Sequence, residues 1–99
     1  MKIYLMSSPD LHGFGEYSYK TITLEEALSA LKGGFVSAVR YQWNADMLRD
    51  VLGIWVPINR ADIRLEVGDM AVVVELREAY STADAAKTPL CIGLLKRTA

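Results

Sequence analysis

The sequence predicts an α/β protein, a small mixed sheet of about five strands carrying two main helices in the order β-α-β-α-β-β-β. Three observations predict it. Thr23-Leu24-Glu25-Glu26 places a capping box ahead of an amphipathic run that Gly33 ends. Phe35 to Val39 and Ala71-Val72-Val73-Val74 are short, apolar and rich in β-branched residues, as strands buried on both faces are. The chain has 99 residues, 52 % of them hydrophobic and 23 % charged, enough for one core and too few for two, so residues 1–99 read as a single domain.

Ile3 to Met6 reads as the first strand, and Ser7-Ser8-Pro9-Asp10 with Gly13 and Gly15 as an irregular loop at its end, a frequent position for ligand contacts. Tyr17 and Tyr19 alternate with polar residues, as on a strand or an extended arm. The first helix covers 24 to 32, with Thr23 as N-cap and Leu24, Ala27, Leu28 and Leu31 on one face. Phe35 to Val39 is expected as a buried central strand. Asn44 is expected to begin the second helix, whose core residues are Met47, Leu48, Val51 and Leu52 and whose stop is Gly53. After the step through Ile54-Trp55-Val56, Pro57 marks an edge or a break. Ala61 to Glu66 and Met70 to Leu76 flank Val67-Gly68-Asp69 in the manner of a β-hairpin. Residues 77 to 88 lack a clear face and read as loop, and Leu90 to Leu95 as the last strand.

With 11 basic and 12 acidic residues the formal net charge is −1, which supplies no uniform positive field and excludes a long nucleic acid as the expected partner. A small anion in a local pocket is compatible with it. One cysteine and one histidine form no zinc pattern, and Cys91 sits in an apolar run where a buried thiol is ordinary. No metal and no cofactor are expected. No apolar run reaches the ~18 residues of a membrane span and the start reads as no signal peptide, so a cytoplasmic protein without membrane contact is expected.

The stretch Ser37-Ala38-Val39-Arg40-Tyr41-Gln42-Trp43-Asn44 holds the most chemistry. It ends a strand and opens a helix, where unpaired backbone N–H groups meet anions. Arg40 brings charge, and Tyr41 or Trp43 offers a ring on which a base can stack. The plain structural alternative makes Asn44 the N-cap and pairs Trp43 with Leu48 in a hydrophobic staple. Ser7 and Ser8 can donate to phosphate oxygens, although no nucleophile elbow surrounds them. His12 suits acid–base chemistry at neutral pH or is simply solvated. Arg60 can clamp a phosphate or pair with a carboxylate, and Arg77 follows the long apolar strand with Glu75 and Glu78 nearby. Gly33-Gly34 and Gly13-Phe14-Gly15 lack the spacing of phosphate-binding fingerprints.

Read in order, several stretches together resemble the viral ring nucleases, the type III anti-CRISPR family that degrades cyclic oligoadenylate messengers. They are the opening strand with Ser7-Ser8, Gly15-Glu16-Tyr17-Ser18-Tyr19, Ile22-Thr23-Leu24-Glu25-Glu26-Ala27 and Gly34-Phe35-Val36-Ser37-Ala38-Val39. Leu48 to Gly53, Val56-Pro57-Ile58-Asn59-Arg60, Gly68-Asp69-Met70-Ala71-Val72-Val73 and Gly93-Leu94-Leu95 continue it. The resemblance implies a homodimer with one pocket shared across its two-fold axis, which suits a cyclic ligand of near symmetry.

In that family a glycine, a catalytic histidine, an acidic residue and small hydroxyl residues follow the strand that here ends at Val39. This chain holds Arg40, Tyr41, Gln42, Trp43 and Asn44 there. The family's loop asparagine appears as Ser7, and its arginine and glutamate after the long strand align with Arg77 and Glu78 only when shifted. In such enzymes a ribose 2′-hydroxyl attacks the adjacent phosphorus while histidine protonates the leaving oxygen. A tyrosine, with a pKa of about 10, is poorly matched to that step at neutral pH. The resemblance with this replacement implies a catalytically degenerate relative that binds and sequesters a cyclic nucleotide immune signal, an anti-defence sponge. One alternative is an active, metal-independent ring nuclease in which His12 or Tyr41 supplies the proton. Another is a protein-interaction module built on Trp43 and Trp55.

Overall fold

The structure is a computed structural model that describes residues 2–7, 15–60, 63–75 and 91–99. Its strands are β1 (Ile3–Met6), β2 (Tyr17–Thr21), β3 (Val36–Ser37), β4 (Met70–Glu75) and β5 (Cys91–Arg97). Its helices are α1 (Leu24–Leu31) and α2 (Gln42–Leu52), giving the order β-β-α-β-α-β-β. They build a mixed five-stranded sheet with the order β2-β5-β4-β1-β3. β1 runs parallel to β3 and β4, whereas β5 runs antiparallel to β4 and β2. The α/β class, with five strands and two helices, is as the sequence predicts.

The order differs from expectation because Tyr17–Thr21 is a full strand and the 61–66 segment contributes none among its described residues. Both edges of β4 are already taken, by β1 on one side and β5 on the other, so no hairpin partner can pair there. Residues 63 to 66 instead lay Ile63 and Leu65 against the sheet face formed by Tyr4, Met6, Ala71, Val73 and Leu95. The opposite face packs against Ala27 and Leu31 of α1 and Ala45, Leu48 and Leu52 of α2. Alternation along β4, with Val72 and Val74 toward the helices and Ala71 and Val73 away from them, buries all four completely. Expected loop positions 77 to 88 lie outside the described residues.

The strand expected over Phe35 to Val39 is a second correction, since β3 holds only Val36 and Ser37 and lies at the sheet's edge. Side chains end it. Ser37 Oγ accepts from the Val39 N–H at 3.2 Å and donates to the Pro57 carbonyl at 2.6 Å, while Asn59 Nδ2 donates to the Ser37 carbonyl at 2.8 Å. The Asn59 N–H also donates to the Val39 carbonyl, so residues 57 to 59 cover the edge that β3 leaves.

α1 begins as read. Thr23 Oγ1 accepts from the Glu26 N–H at 3.1 Å, and Glu26 Oε1 accepts from the Thr23 N–H at 3.2 Å. α2 ends at Gly53, whose φ of 69° closes the helix with an N–H donated to the Arg49 carbonyl. A close approach fixes Gly93: a Cβ there would collide with the Tyr19 ring from the neighbouring strand. Asp69, 5 % exposed, ties the start of β1 to the turn before β4 by accepting from the Lys2 N–H at 2.8 Å and the Glu66 N–H at 3.0 Å. Burial alone would raise its pKa. Those two backbone donors, with the nearby N-terminus and Lys2, outweigh burial and hold it below the ordinary carboxylate value.

Candidate functional site

α2 starts two residues earlier than expected, at Gln42 with Tyr41 as N-cap, and this changes how its first turn is built. Asn44 lies inside the helix rather than capping it, and Trp43 is helical too, so the Trp43–Leu48 staple around an Asn44 cap is not formed. The first turn is held from elsewhere. Gln42 Nε2 donates to Asp46 Oδ1 at 2.7 Å, one helical turn on, and the buried Asn44 sends Nδ2 to Ser7 Oγ at 3.5 Å.

The two helix starts contrast in their electrostatics. α1 has a complete capping box and Glu25 and Glu26 in its first turn, so its N-terminal partial positive charge is answered within the chain. α2 has no side-chain cap and no acidic residue in its first turn. Its first helical hydrogen bond is donated by Ala45 to the Tyr41 carbonyl, so the N–H groups of Gln42, Trp43 and Asn44 precede the intrahelical ladder.

Arg60 arrives beside this opening. Its Nε donates to the Arg40 carbonyl at 3.2 Å, which sets a second arginine against the residue just before the N-cap. The Ser37–Pro57–Asn59 bonds align segment 36–40 with segment 57–60 and thereby make that meeting possible. Arg60 thus joins Arg40 beside a first helical turn that carries no acidic side chain, the nearest acid of the helix being Asp46 one turn on. Tyr41 is 60 % exposed and Trp43 48 % exposed at its margin.

Of the residues predicted from sequence, the structure joins Arg40 with Arg60 and Ser7 with Asn44, and places Tyr41, Gln42 and Trp43 on the same helix start. The amide of Gln42 is engaged by Asp46. Ser8, His12 and Arg77 lie outside the described residues. Sequence reading missed the structural part of Ser37 and Asn59. The available signal was two polar residues bordering apolar runs, where buried polar groups need partners.

A separate polar group sits where β2, β4 and β5 meet. The Tyr19 hydroxyl donates to Glu75 Oε1 at 3.4 Å. Burial, then the Glu75 carboxylate and Cys91, push the phenol up to about 12. Among the described residues no cluster of three or more His, Cys, Asp or Glu is placed to hold a metal, and no helix is long and apolar enough to cross a membrane.

A five-stranded mixed sheet with two helices and an open second helix start defines a small α/β protein of a recognisable kind. The fold matches that of B116 of Sulfolobus turreted icosahedral virus, with a TM-score of 0.77 over 97 % of this chain and 99 % of that one, at 14 % identity. The chain belongs to the STIV B116-like family, whose model matches residues 3–87. It is 28 % identical over 76 residues to the ORF117 protein of Acidianus two-tailed virus. Protein 26 of Sulfolobus islandicus filamentous virus (isolate Iceland/Hveragerdi) is 33 % identical over 70 residues. These matches take in 74 % and 70 % of this chain but only 65 % and 59 % of those two relatives. The family is thus one of small proteins found in archaeal viruses.

Proposed function

We propose that this protein is a catalytically degenerate, ring-nuclease-like binder that sequesters a cyclic nucleotide second messenger of prokaryotic antiviral immunity. The observation that carries the reading is the contrast between the helix starts: α1 is capped with two acids in its first turn, whereas α2 has no side-chain cap and no acid in its first turn, follows Arg40 directly, and is approached by Arg60. A phosphate there accepts from the first backbone N–H groups of α2 and meets guanidinium charge, while a base stacks on Trp43 or Tyr41. In a homodimer with the pocket on its two-fold axis, each of these groups occurs twice, matching the repeating phosphates of a ring.

Retention without cleavage follows from the residue at the chemical position. In-line attack of a 2′-hydroxyl needs a proton donor for the leaving oxygen, and a tyrosine, unlike a histidine, is poorly matched to that step at neutral pH. The effect of such a protein is stoichiometric: each dimer removes as many messengers as it has sites.

Purified protein is incubated with excess cyclic oligoadenylates and cyclic dinucleotides, and the retained and free species are identified by mass spectrometry. The expected result is an intact cyclic ligand released on denaturation. Linear products well beyond one equivalent per site would replace this reading with an active metal-independent ring nuclease drawing on His12 or Tyr41. A folded protein that retains none of the panel would refute both.

A further inference from the structure

A second surface opens toward the amino ends of β1 and β3. Arg40 and Ser7 follow the carboxyl ends of β3 and β1, whereas Lys2, Ile3, Phe35 and Val36 lie at the amino ends of the same strands. There a shallow hollow of about 730 Å³ opens between the end of α1 and the segment after α2, with Leu28, Leu31, Phe35, Ile54 and Pro57 as its apolar lining and Trp55 at its side. A smaller hollow of about 370 Å³ shares Gly34 and Phe35 with it and extends the surface toward Lys2.

Trp55 is 70 % exposed, and it is held in place. The Arg49 guanidinium lies 3.9 Å from the centre of its ring. Arg49 is itself fixed, since Nε and Nη2 donate to the Val56 carbonyl at 3.1 and 2.9 Å and Nη1 to Asp46 Oδ1 at 3.2 Å. An indole immobilised before binding loses little entropy on contact, and tryptophan is the residue type most often found to dominate protein contacts. Lys32 lines the larger hollow and Lys2 the smaller, and among the described residues neither lining includes an Asp or Glu.

We infer that this trough is a docking site for an acidic peptide segment of a partner protein, one that places a large apolar side chain beside Trp55 and carboxylates toward Lys32 and Lys2. A small molecule fits the observations less well, because ligand pockets enclose their occupant around converging polar groups and this surface is open and apolar.

Random peptides displayed on phage are selected on the immobilised protein, and the winners are synthesised and measured by fluorescence anisotropy. The expected winners combine Asp or Glu with an aromatic or large aliphatic residue. Trp55→Ala and Lys32→Glu are expected to weaken them by about tenfold or more, Trp55→Phe to restore part of the affinity, and Arg40→Ala to leave it unchanged. Circular dichroism of each variant, all at exposed positions, verifies folding. The inference is overturned if no peptide is enriched, if the winners lack acidic residues, or if Trp55→Ala binds them as wild type does. It is equally overturned if Trp55→Ala turns a dimer into monomers in light scattering, since a second copy would then be the occupant.

Discussion

Replacing Arg60 by alanine removes the guanidinium that rests on the Arg40 carbonyl, and the consequences can be sized separately for folding and binding. The Nε bond, 3.2 Å long, is exposed and readily exchanged for one to water, so stability should change by no more than about 0.5 kcal/mol. With Nε occupied, the two terminal nitrogens are the ones that meet a phosphate. One charge-assisted bond of this kind is worth about 1.5–3 kcal/mol, which raises Kd by about 10- to 150-fold. Arg60→Lys keeps the charge but loses the planar fork that rests on Arg40, so it should fall between wild type and alanine. Isothermal titration with cyclic tetra-adenylate measures each affinity, and far-UV circular dichroism verifies the fold. Combined with Arg40→Ala in a double-mutant cycle, a shared phosphate gives a coupling beyond about 0.5 kcal/mol. Unchanged affinity in folded Arg60→Ala, or strictly additive losses in the pair, would refute the two-arginine clamp.

Tyr41→His returns a group of pKa near neutrality to the position of the missing acid, and cleavage of a cyclic oligoadenylate, followed by mass spectrometry, should rise above wild type. Asp69→Asn leaves one oxygen to serve two backbone donors and should cost about 1.5–3 kcal/mol in urea unfolding. Because the folded pKa of Asp69 is lowered, its contribution is present above the unfolded value of about 3.9 and disappears as pH falls through the folded one. The wild-type stability curve should therefore drop more steeply below about pH 4 than that of Asp69→Asn, and parallel curves would refute the assignment. Gly93→Ala should push the Tyr19 ring off its neighbour and away from Glu75, so that in ultraviolet titration its midpoint moves from about 12 down toward the ordinary value.

What could be read from the sequence divides along the range of the interactions involved. α1 was legible because everything that starts it lies within Thr23 to Glu26, and the end of α2 because Gly53 takes the left-handed conformation that glycine adopts without strain. The start of α2 was not, since Asn44 is a good cap on local grounds but its amide is drawn to Ser7, a residue distant in sequence. The 61–66 hairpin failed for a similar reason: Val67-Gly68-Asp69 does make a turn, yet the neighbours of β4 come from the two ends of the chain. At the site, Arg40, Tyr41 and Trp43 could be picked out by residue type. The pairing of Arg40 with Arg60 depended on the Ser37 and Asn59 contacts, which no periodicity announces.

The pairing pattern of β4 and β5 also bears on how the chain acquires its shape during synthesis. β1 precedes β4 by more than sixty residues, yet it pairs with residues 70 to 73, and β2 finds its partner only in β5. A ribosome that has released β1, β2 and α1 therefore exposes backbone edges and the apolar side of α1 until the last third of the chain appears. Such long-range closure slows folding and lengthens exposure to aggregation. A truncation that removes β5 would strip β2 of its neighbour and uncover one side of β4 at once, so loss of this single terminal strand should dismantle the sheet rather than merely shorten it.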